Sequence, residues 1–391
     1  MFRFGIEHEV AFLDREEQIV DFLSASFSLF QTIIDELPQY AGDEEHIRIG
    51  DAGIRVKRWY IEGFERFSES GELTDCLPKG IEIRTTIHPS IQDVIDELTT
   101  SFHQLRDVAA RHGLVPVLTS HHPYRTRFEP DPPLNAYEQQ LLHQSPEDLS
   151  ALLSMVTYGP DLNISVEGLS VEAMIDLGRK LTYYSPYIVP WSFSSPFYEG
   201  RLWEGFSVRT FYRTGVRPAV QVFLAQPTDL LQSDPSLTKL ARYAAEVGRI
   251  EFKACDSCAD FSLYAALLAL LKGLALDRTL PGRATVPDRE LHQRAARFGF
   301  AQADLRACAQ AVLAASAEAL GDDPDVCFLE PLFHLLQQGI TPAHRLVQAF
   351  HATNSLAAVL RDSYQAPPTV DERAGYVQER QQWRGMDEES R

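Results

Sequence analysis

Two glutamates near the start of the chain have a spacing that could support chemistry. Glu7 and Glu9 stand two residues apart in an alternating run of apolar and polar residues, so a strand would place both carboxylates side by side on one face. If that face is buried, the two like charges are costly unless a cation lies between them, and carboxylate oxygens are ligands that Mg²⁺ prefers. The alternative is the solvated face of an edge strand, and the spacing alone favours that alternative.

Three further segments repeat this pattern of polar side chains two residues apart in an apolar run: Glu82 and Arg84, Asp161 and Asn163, and Glu251 and Lys253. Solvated sheet faces explain any one of these segments easily. They explain all four less well, because a packed domain of this size should bury one face of its sheet. The four segments together therefore favour oxygen ligands placed in the middle of buried strands.

The elements that must position these residues are strands in pairs and clusters, which favours an antiparallel or mixed sheet with helices on its outside. Strands are predicted at residues 2–13, 52–67, 81–87, 157–166 and 249–254. Helices are predicted at residues 90–112, 170–184, 261–278, 302–320 and 342–361. Ser90 is predicted to cap the first of these helices and Gly113 to end it.

One domain is predicted at residues 1–364, and residues 365–391 are interpreted as a polar tail that is mobile or loosely docked. Residues 120–135 are interpreted as an ordered loop. Within that loop, His121, His122 and Arg125 are expected to contact backbone or solvent.

The charge balance limits the class of partner. The 391 residues include 36 Lys and Arg against 55 Asp and Glu, a net charge of −19, which repels nucleic acid and anionic membranes and favours small molecules. No stretch reaches the roughly 18–20 apolar residues that span a bilayer. The start shows no signal peptide, and five cysteines suit a reducing compartment, so a cytoplasmic location is predicted. Cys255 and Cys258 are interpreted as two ordinary thiols.

Six short segments follow one another in a fixed order over roughly residues 1–360. They are Gly5-Ile6-Glu7-His8-Glu9, Ile81-Glu82-Ile83-Arg84-Thr85, Tyr158-Gly159-Pro160-Asp161-Leu162-Asn163, Ser194 to Arg201 with Arg209 downstream, Arg249-Ile250-Glu251-Phe252-Lys253 with Asp256, and Thr341-Pro342-Ala343. This ordered set resembles the glutamate–cysteine ligase family of bacterial carboxylate–amine ligases, within the glutamine synthetase fold superfamily.

The resemblance implies an α+β fold in which a curved, mainly antiparallel sheet forms a funnel with helices packed on its outside. It also implies an enzyme that uses ATP and Mg²⁺, or Mn²⁺, to join a small carboxylate to an amine. The carboxylate, an amino acid such as glutamate, would attack the γ-phosphate to give an acyl phosphate and ADP, and the amine would then displace phosphate. A homo-oligomer is left open.

Carried over position by position, the resemblance assigns metal ligation to five acidic residues: Glu7, Glu9, Glu82, Asp161 and Glu251. It assigns catalytic roles to Arg209 and Lys253, with Arg209 gripping a carboxylate or a phosphoryl group. Asn163 and Arg84 are expected to bind the cofactor.

Two departures from the family pattern fall in this predicted site. Asp161 and Asn163 replace a pair of histidines, and Lys253 stands where an arginine is usual. These changes motivate a second hypothesis, a non-catalytic relative that binds a nucleotide or an amino acid and acts as a sensor or scaffold. A third hypothesis, ranked lowest, is a metal-dependent hydrolase that uses the same carboxylates.

Overall fold

The first strand of the chain, β1 (Phe2–Leu13), lies inside the large sheet of a computed structural model that describes residues 1–43, 58–144 and 150–364. Its apolar side chains alternate with polar ones as predicted. Phe4, Ile6 and Val10 are buried on one face, whereas Glu7 and Glu9 are half-buried on the other. The strand therefore separates an apolar core from a polar face that is itself partly enclosed.

Antiparallel pairing dominates the sheet, whose hydrogen-bonded strand order is β10-β9-β11-β6-β1-β4-β3. Only β9 and β10 pair in parallel among the described strands, while two short strands, β2 and β5, add to β1. The other strands are β2 (Ile19–Val20), β3 (Trp59–Phe67), β4 (Leu73–Arg84), β5 (Val115–Val117), β6 (Pro160–Val166), β7 (Phe197–Tyr198), β8 (Arg201–Leu202), β9 (Val220–Leu224), β10 (Thr238–Leu240) and β11 (Ile250–Phe252). Strands β7 and β8 form a separate hairpin.

The described helices are α1 (Phe27–Glu36), α2 (Ile91–Arg111), α3 (Ala136–Leu142), α4 (Ala151–Ser154), α5 (Val171–Ile188), α6 (Val208–Arg213), α7 (Ser262–Leu276), α8 (Arg289–Phe298), α9 (Ala303–Leu320), α10 (Glu330–Gln338), α11 (Ala343–Thr353) and α12 (Leu356–Arg361). Helices α2 and α7 pack against the apolar face of the sheet. The predicted α+β class, with a curved and mainly antiparallel sheet and helices outside it, is confirmed. No helix within the described ranges is long and apolar enough to cross a membrane.

The predicted boundaries of α2 are confirmed. The Ser90 hydroxyl accepts a hydrogen bond from the Asp93 backbone nitrogen at 3.4 Å, which satisfies one of the free N–H groups of the first turn. Gly113 follows the helix at φ +77°, a left-handed conformation that favours glycine.

Two predicted elements were wrong in their bounds. The single helix predicted at 342–361 is two helices, because Asn354 adopts a left-handed φ of 50° and Ser355 then caps α12 by accepting a hydrogen bond from the Ala358 nitrogen at 3.2 Å. The strand predicted at 81–87 ends at Arg84 and begins at Leu73, because its first half pairs with β3. Residues 52–57 of another predicted strand, and the predicted tail, lie outside the described residues.

The loop at 120–135 is anchored by a buried carboxylate, so the expectation of backbone or solvent contacts for its basic residues was wrong in part. Asp21, 1% exposed, bonds to His122 Nε2 at 3.0 Å and accepts a hydrogen bond from Arg125 Nε. His121 is buried and contacts the His122 backbone oxygen, as expected. Burial disfavours the charged carboxylate, but the hydrogen bonds from His122, Arg125 and the Leu23 nitrogen outweigh it and hold the pKa of Asp21 at about 2.

This depressed pKa makes a prediction about stability and pH. Because the folded-state pKa lies below the usual value, Asp21 contributes stability that is fully present above about pH 4 and is lost as the pH falls through about 2. We expect Asp21→Asn to lower the free energy of unfolding by roughly 2 kcal/mol at pH 7. Chemical denaturation at several pH values should show this difference shrinking below about pH 4. A difference that stays constant down to pH 2 would contradict the ionic role of Asp21.

Candidate functional site

A cavity of ≈ 620 Å³ opens on the polar face of the sheet. Strands β1, β3, β4, β6 and β11 contribute acidic residues to its lining, among them Glu7, Glu9, Glu62, Glu82, Asp161 and Glu251. The five carboxylates predicted as metal ligands are all among these residues, so the structure brings them together in one cavity.

Strand register explains the first of two carboxylate clusters, Glu7, Asp161 and Glu251. Glu7 pairs directly with Asp161 across β1 and β6, and Glu251 pairs with Asn163, two residues further along the same face. One oxygen from each carboxylate lies within 4.8 Å of the others. The three side chains therefore converge because three adjacent strands are in this register.

The second cluster consists of Glu9, Glu62 and Glu82, with one oxygen of each again within 4.8 Å of the others. Glu9 pairs with Glu82 across β1 and β4, and Tyr60 on β3 pairs with Glu82. Glu62 lies two residues beyond Tyr60, beside a shift of register between Glu62 and Gly63. Glu62 was not among the predicted site residues, although the alternation Tyr60-Ile61-Glu62 on β3 carries the same signal as the other four strands.

Basic side chains already bind both clusters. Lys253 contacts Asp161 and lies 3.1 Å from a Glu251 oxygen, and Arg249 Nη1 lies 3.1 Å from Glu7 Oε1. In the second cluster, Lys79 Nζ is 2.9 Å from Glu9 Oε2, and Arg84 Nε is 2.5 Å from Glu82 Oε2.

The Lys79 ammonium is held in one position by three hydrogen bonds. The side chain is 1% exposed, and its nitrogen donates to Glu9, to the Ser154 carbonyl at 2.8 Å and to the Thr157 carbonyl at 2.7 Å. All three of its donors are thus used. Sequence analysis did not single out Lys79, because it precedes the strand predicted to begin at residue 81.

These basic side chains do not fully offset the negative charge of the carboxylates. Burial raises the pKa of Glu62 and Asp161, and it raises that of Glu82 well above the usual range. In the first cluster the buried Asn163 Oδ1 accepts no hydrogen bond from any described residue. Buried carboxylates whose charge is still disfavoured, next to an unused carbonyl oxygen, fit an additional cation.

The donor set indicates the type of cation. Both clusters offer only oxygen atoms, without a thiolate or an imidazole among their members. Such ligands suit the hard cations Mg²⁺ and Mn²⁺ rather than zinc or copper. The residues present therefore fit the divalent cation that the resemblance implies.

Arg209 lines the cavity, but its guanidinium is held by backbone. Nη1 donates to the Ala254 carbonyl at 3.1 Å and Nη2 to the Lys253 carbonyl at 2.9 Å, at the end of β11. The guanidinium lies against Gly159, where an added Cβ would be only 2.2 Å from Nη2. Gly159 is thus required by the close approach of Arg209.

Asp256 positions the helix that carries Arg209. This fully buried carboxylate accepts hydrogen bonds from the Ser194 nitrogen at 2.9 Å, from Ser195 Oγ at 2.7 Å and from Ser207 Oγ at 2.9 Å. Ser207 is the N-cap of α6 and accepts from the Thr210 nitrogen. Asp256 was part of a predicted motif, but this positioning role was not foreseen.

Arg84, predicted to bind the cofactor, lines the cavity and stacks over the Tyr60 ring at 4.2 Å. Its Nη1 is buried and has no hydrogen-bond partner among the described residues. Asn163, the other predicted cofactor residue, donates from Nδ2 to the Asp161 carbonyl at 3.3 Å. Their roles stay predictions, but both side chains keep a polar atom that a ligand could satisfy.

The fold is similar to those of three solved enzymes, by name a glutathione synthetase and two ligases. A bifunctional glutathione synthetase from Pasteurella multocida matches with a TM-score of 0.57 and 12% identity over 93% of this chain, which spans only about half (52%) of that longer protein. A glutamate–cysteine ligase from Francisella tularensis, solved in complex with AMP, matches with a TM-score of 0.53 and 10% identity over 99% of this chain and 94% of that one. PafA, the ligase of the prokaryotic ubiquitin-like protein Pup, matches with a TM-score of 0.53 and 12% identity over 96% of this chain and 76% of PafA.

Sequence relatives confirm the resemblance to glutamate–cysteine ligases. A protein from Roseiflexus sp. (strain RS-1) named "Putative glutamate–cysteine ligase 2" is 24% identical over 374 residues, which cover 83% of this chain and 93% of the relative. A protein of the same name from Jannaschia sp. (strain CCS1) is 25% identical over 252 residues, 59% of this chain and 64% of the relative. No family model matches the chain.

The second cluster gives a prediction about cation binding. Glu82→Gln removes one of its three carboxylates, so we expect Mg²⁺ to bind at least about tenfold more weakly. The rise in melting temperature with Mg²⁺ concentration measures this affinity, without ATP. Glu72→Gln, which makes the same change at an exposed position before β4, is the control and should respond like the wild type. An unchanged response in Glu82→Gln would remove Glu82 from the cation site.

Proposed function

We propose that this protein is an ATP- and Mg²⁺-dependent carboxylate–amine ligase, similar to glutamate–cysteine ligases, that forms an amide through an acyl phosphate and releases ADP. The observation that carries the proposal is the pair of carboxylate clusters inside one cavity of a fold that ligases share. The acidic charge and the low cysteine content lead us to place it in the cytoplasm.

In this proposal the six clustered carboxylates hold Mg²⁺, or Mn²⁺ in its place. When bound, such cations would supply positive charge that neutralises phosphate. The chain's own residues bind and orient: the Lys253 ammonium, 3.1 Å from Glu251, would lie beside the transferring group, and Arg84 and Asn163 would contact the nucleotide.

The carboxylate substrate is proposed to be an amino acid, since the matched relatives are named as ligases of glutamate and cysteine. The departures at Asp161, Asn163 and Lys253 all fall in or beside the first cluster. In the proposed enzyme, these three departures would change which substrate binds or how fast the reaction proceeds.

One observation favours the second candidate, a non-catalytic binding protein. Each cluster already contains an ammonium group, Lys253 in the first and Lys79 in the second, and these charges do part of the work that a metal ion would do. A sensor of this kind would bind a nucleotide or an amino acid without turnover.

A direct assay separates the two candidates. The purified protein is incubated with Mg²⁺, ATP and a panel of amino acids and amines, and ADP, phosphate and amide product are measured. The ligase predicts ADP release that depends on both a carboxylate and an amine. Calorimetric binding of ATP with no ADP release under any combination would contradict the ligase and favour the sensor.

The same assay tests Glu7, which belongs to the first cluster. We expect Glu7→Gln to lower turnover by more than about 100-fold, because it removes a charge that would hold the cation, while circular dichroism shows an intact fold. The exposed Glu72→Gln variant serves again as the matched control. An unaltered rate in Glu7→Gln would exclude Glu7 from the active site.

A further inference from the structure

Three arginines follow one another at four-residue intervals on one wall of the cavity. Arg209 and Arg213 lie on α6, and Arg217 lies in the turn that follows it. All three line the cavity that holds the carboxylate clusters. Only Arg209 was predicted from the sequence to take part in function.

Arg209 is anchored to the backbone, although its buried Nε has no hydrogen-bond partner among the described residues. Both of its Nη nitrogens donate to backbone carbonyls at the end of β11, at 2.9 and 3.1 Å. These bonds tie α6 to the strand of the first cluster. Its role in the structure is therefore to position α6 and β11 relative to each other.

Arg213 has fewer hydrogen-bond partners within the described chain than Arg209. It is only 5% exposed, and its one hydrogen bond to a described residue goes from Nη1 to the Pro218 carbonyl at 3.3 Å. None of the carboxylates in the described ranges forms an ion pair with it within 4.0 Å. Burial, and then the neighbouring charges of Arg209 and Arg217, lower the pKa of Arg213 well below its usual value, and the more weakly acting charges of Asp161 and Glu9 do not offset this.

Arg217 extends the same positive wall. Its Nη1 donates to the Ser150 carbonyl at 3.2 Å, and the side chain is half-buried with no carboxylate of the described chain within ion-pair distance. A buried guanidinium without a counter-ion is costly, and two adjacent ones are more so. An anion bound between the Arg213 and Arg217 guanidinium groups would offset this free-energy cost.

Arg66 is a buried arginine with a purely structural role, and its contacts differ from those of Arg213. Its exposure of 8% is similar to that of Arg213, but its Nε and Nη2 donate to the two oxygens of Glu138, at 2.7 and 3.1 Å. The ion pair is complete within the chain. The guanidinium of Arg213, by contrast, faces the cavity without such a partner.

We infer that Arg213 and Arg217 form an oxyanion-binding wall that takes a carboxylate or phosphate group of a substrate, whereas Arg209 positions that wall. The planar guanidinium fits both groups through paired N–H donors. The inference rests on the proposed function in one respect, that the anion belongs to a substrate of the ligase.

The test uses two probes, inorganic phosphate and glutarate, at constant ionic strength. Binding to the full-length protein is measured by calorimetry and by the shift in melting temperature. The wild type should bind at least one probe. Binding of phosphate alone identifies a phosphoryl subsite, and binding of glutarate alone identifies a carboxylate subsite. A wild type that responds to neither probe would overturn the inference.

We expect Arg213→Met to weaken binding of that probe at least tenfold and to leave the melting temperature unchanged or higher, because an uncompensated buried charge is removed. Arg217→Met should also weaken binding. Arg66→Met should lower the melting temperature, since it leaves Glu138 unpaired. Arg283→Met, at an exposed arginine paired with Asp176, should bind the probe like the wild type.

Wild-type affinity in both Arg213→Met and Arg217→Met would overturn the inference, as would a loss of stability in Arg213→Met as large as that in Arg66→Met. The measurement needs no turnover. A protein that binds the probe through these arginines but never releases ADP would contradict the ligase proposal while supporting the anion wall.

Discussion

The burial of like-charged carboxylates is the constraint on which the rest of this structure depends. Six acidic side chains share one cavity, and burial raises the pKa of Glu62, Glu82 and Asp161 because their charges are poorly solvated there. The fold reduces this cost with Lys79 and Lys253 but does not remove it. A sheet face that keeps such an arrangement supports the proposed cation site, since apolar residues there would be more stable.

Several parts of the molecule keep the carboxylates in place. Beneath Glu7 and Glu9, on the opposite face of β1, His8 is fully buried and bonds to the Tyr264 and Tyr364 hydroxyls at 2.9 and 3.0 Å. Burial lowers the pKa of His8 to about 3, so it is neutral there and adds no charge to the core. On the other side, the buried Asp256 fixes the start of the helix that carries Arg209 and Arg213. Apolar packing and a few buried hydrogen bonds thus set the positions of the charged groups.

The fold class and the convergence of the five predicted carboxylates could be predicted from sequence, because strand alternation determines which side chains share a face and the ordered motifs resemble those of a known family. The remaining site residues depend on long-range geometry. Glu62 lies beside a register shift, Lys79 precedes the predicted strand, and Arg213 lies on a six-residue helix that no periodicity indicated. The importance of Arg213 comes from the lack of a partner carboxylate in the described structure, which no sequence pattern encodes.

The most direct test is a crystal grown with Mn²⁺ and measured at a wavelength where manganese scatters anomalously, because it locates the cation without any assay of activity. Convergent carboxylates that hold divalent cations predict an anomalous peak between Glu7, Asp161 and Glu251, between Glu9, Glu62 and Glu82, or in both clusters. A map with full-occupancy protein and no peak in either cluster, with Lys253 and Lys79 still bound to their carboxylates, would show that the ammonium groups alone balance this charge. That result would contradict the cation site.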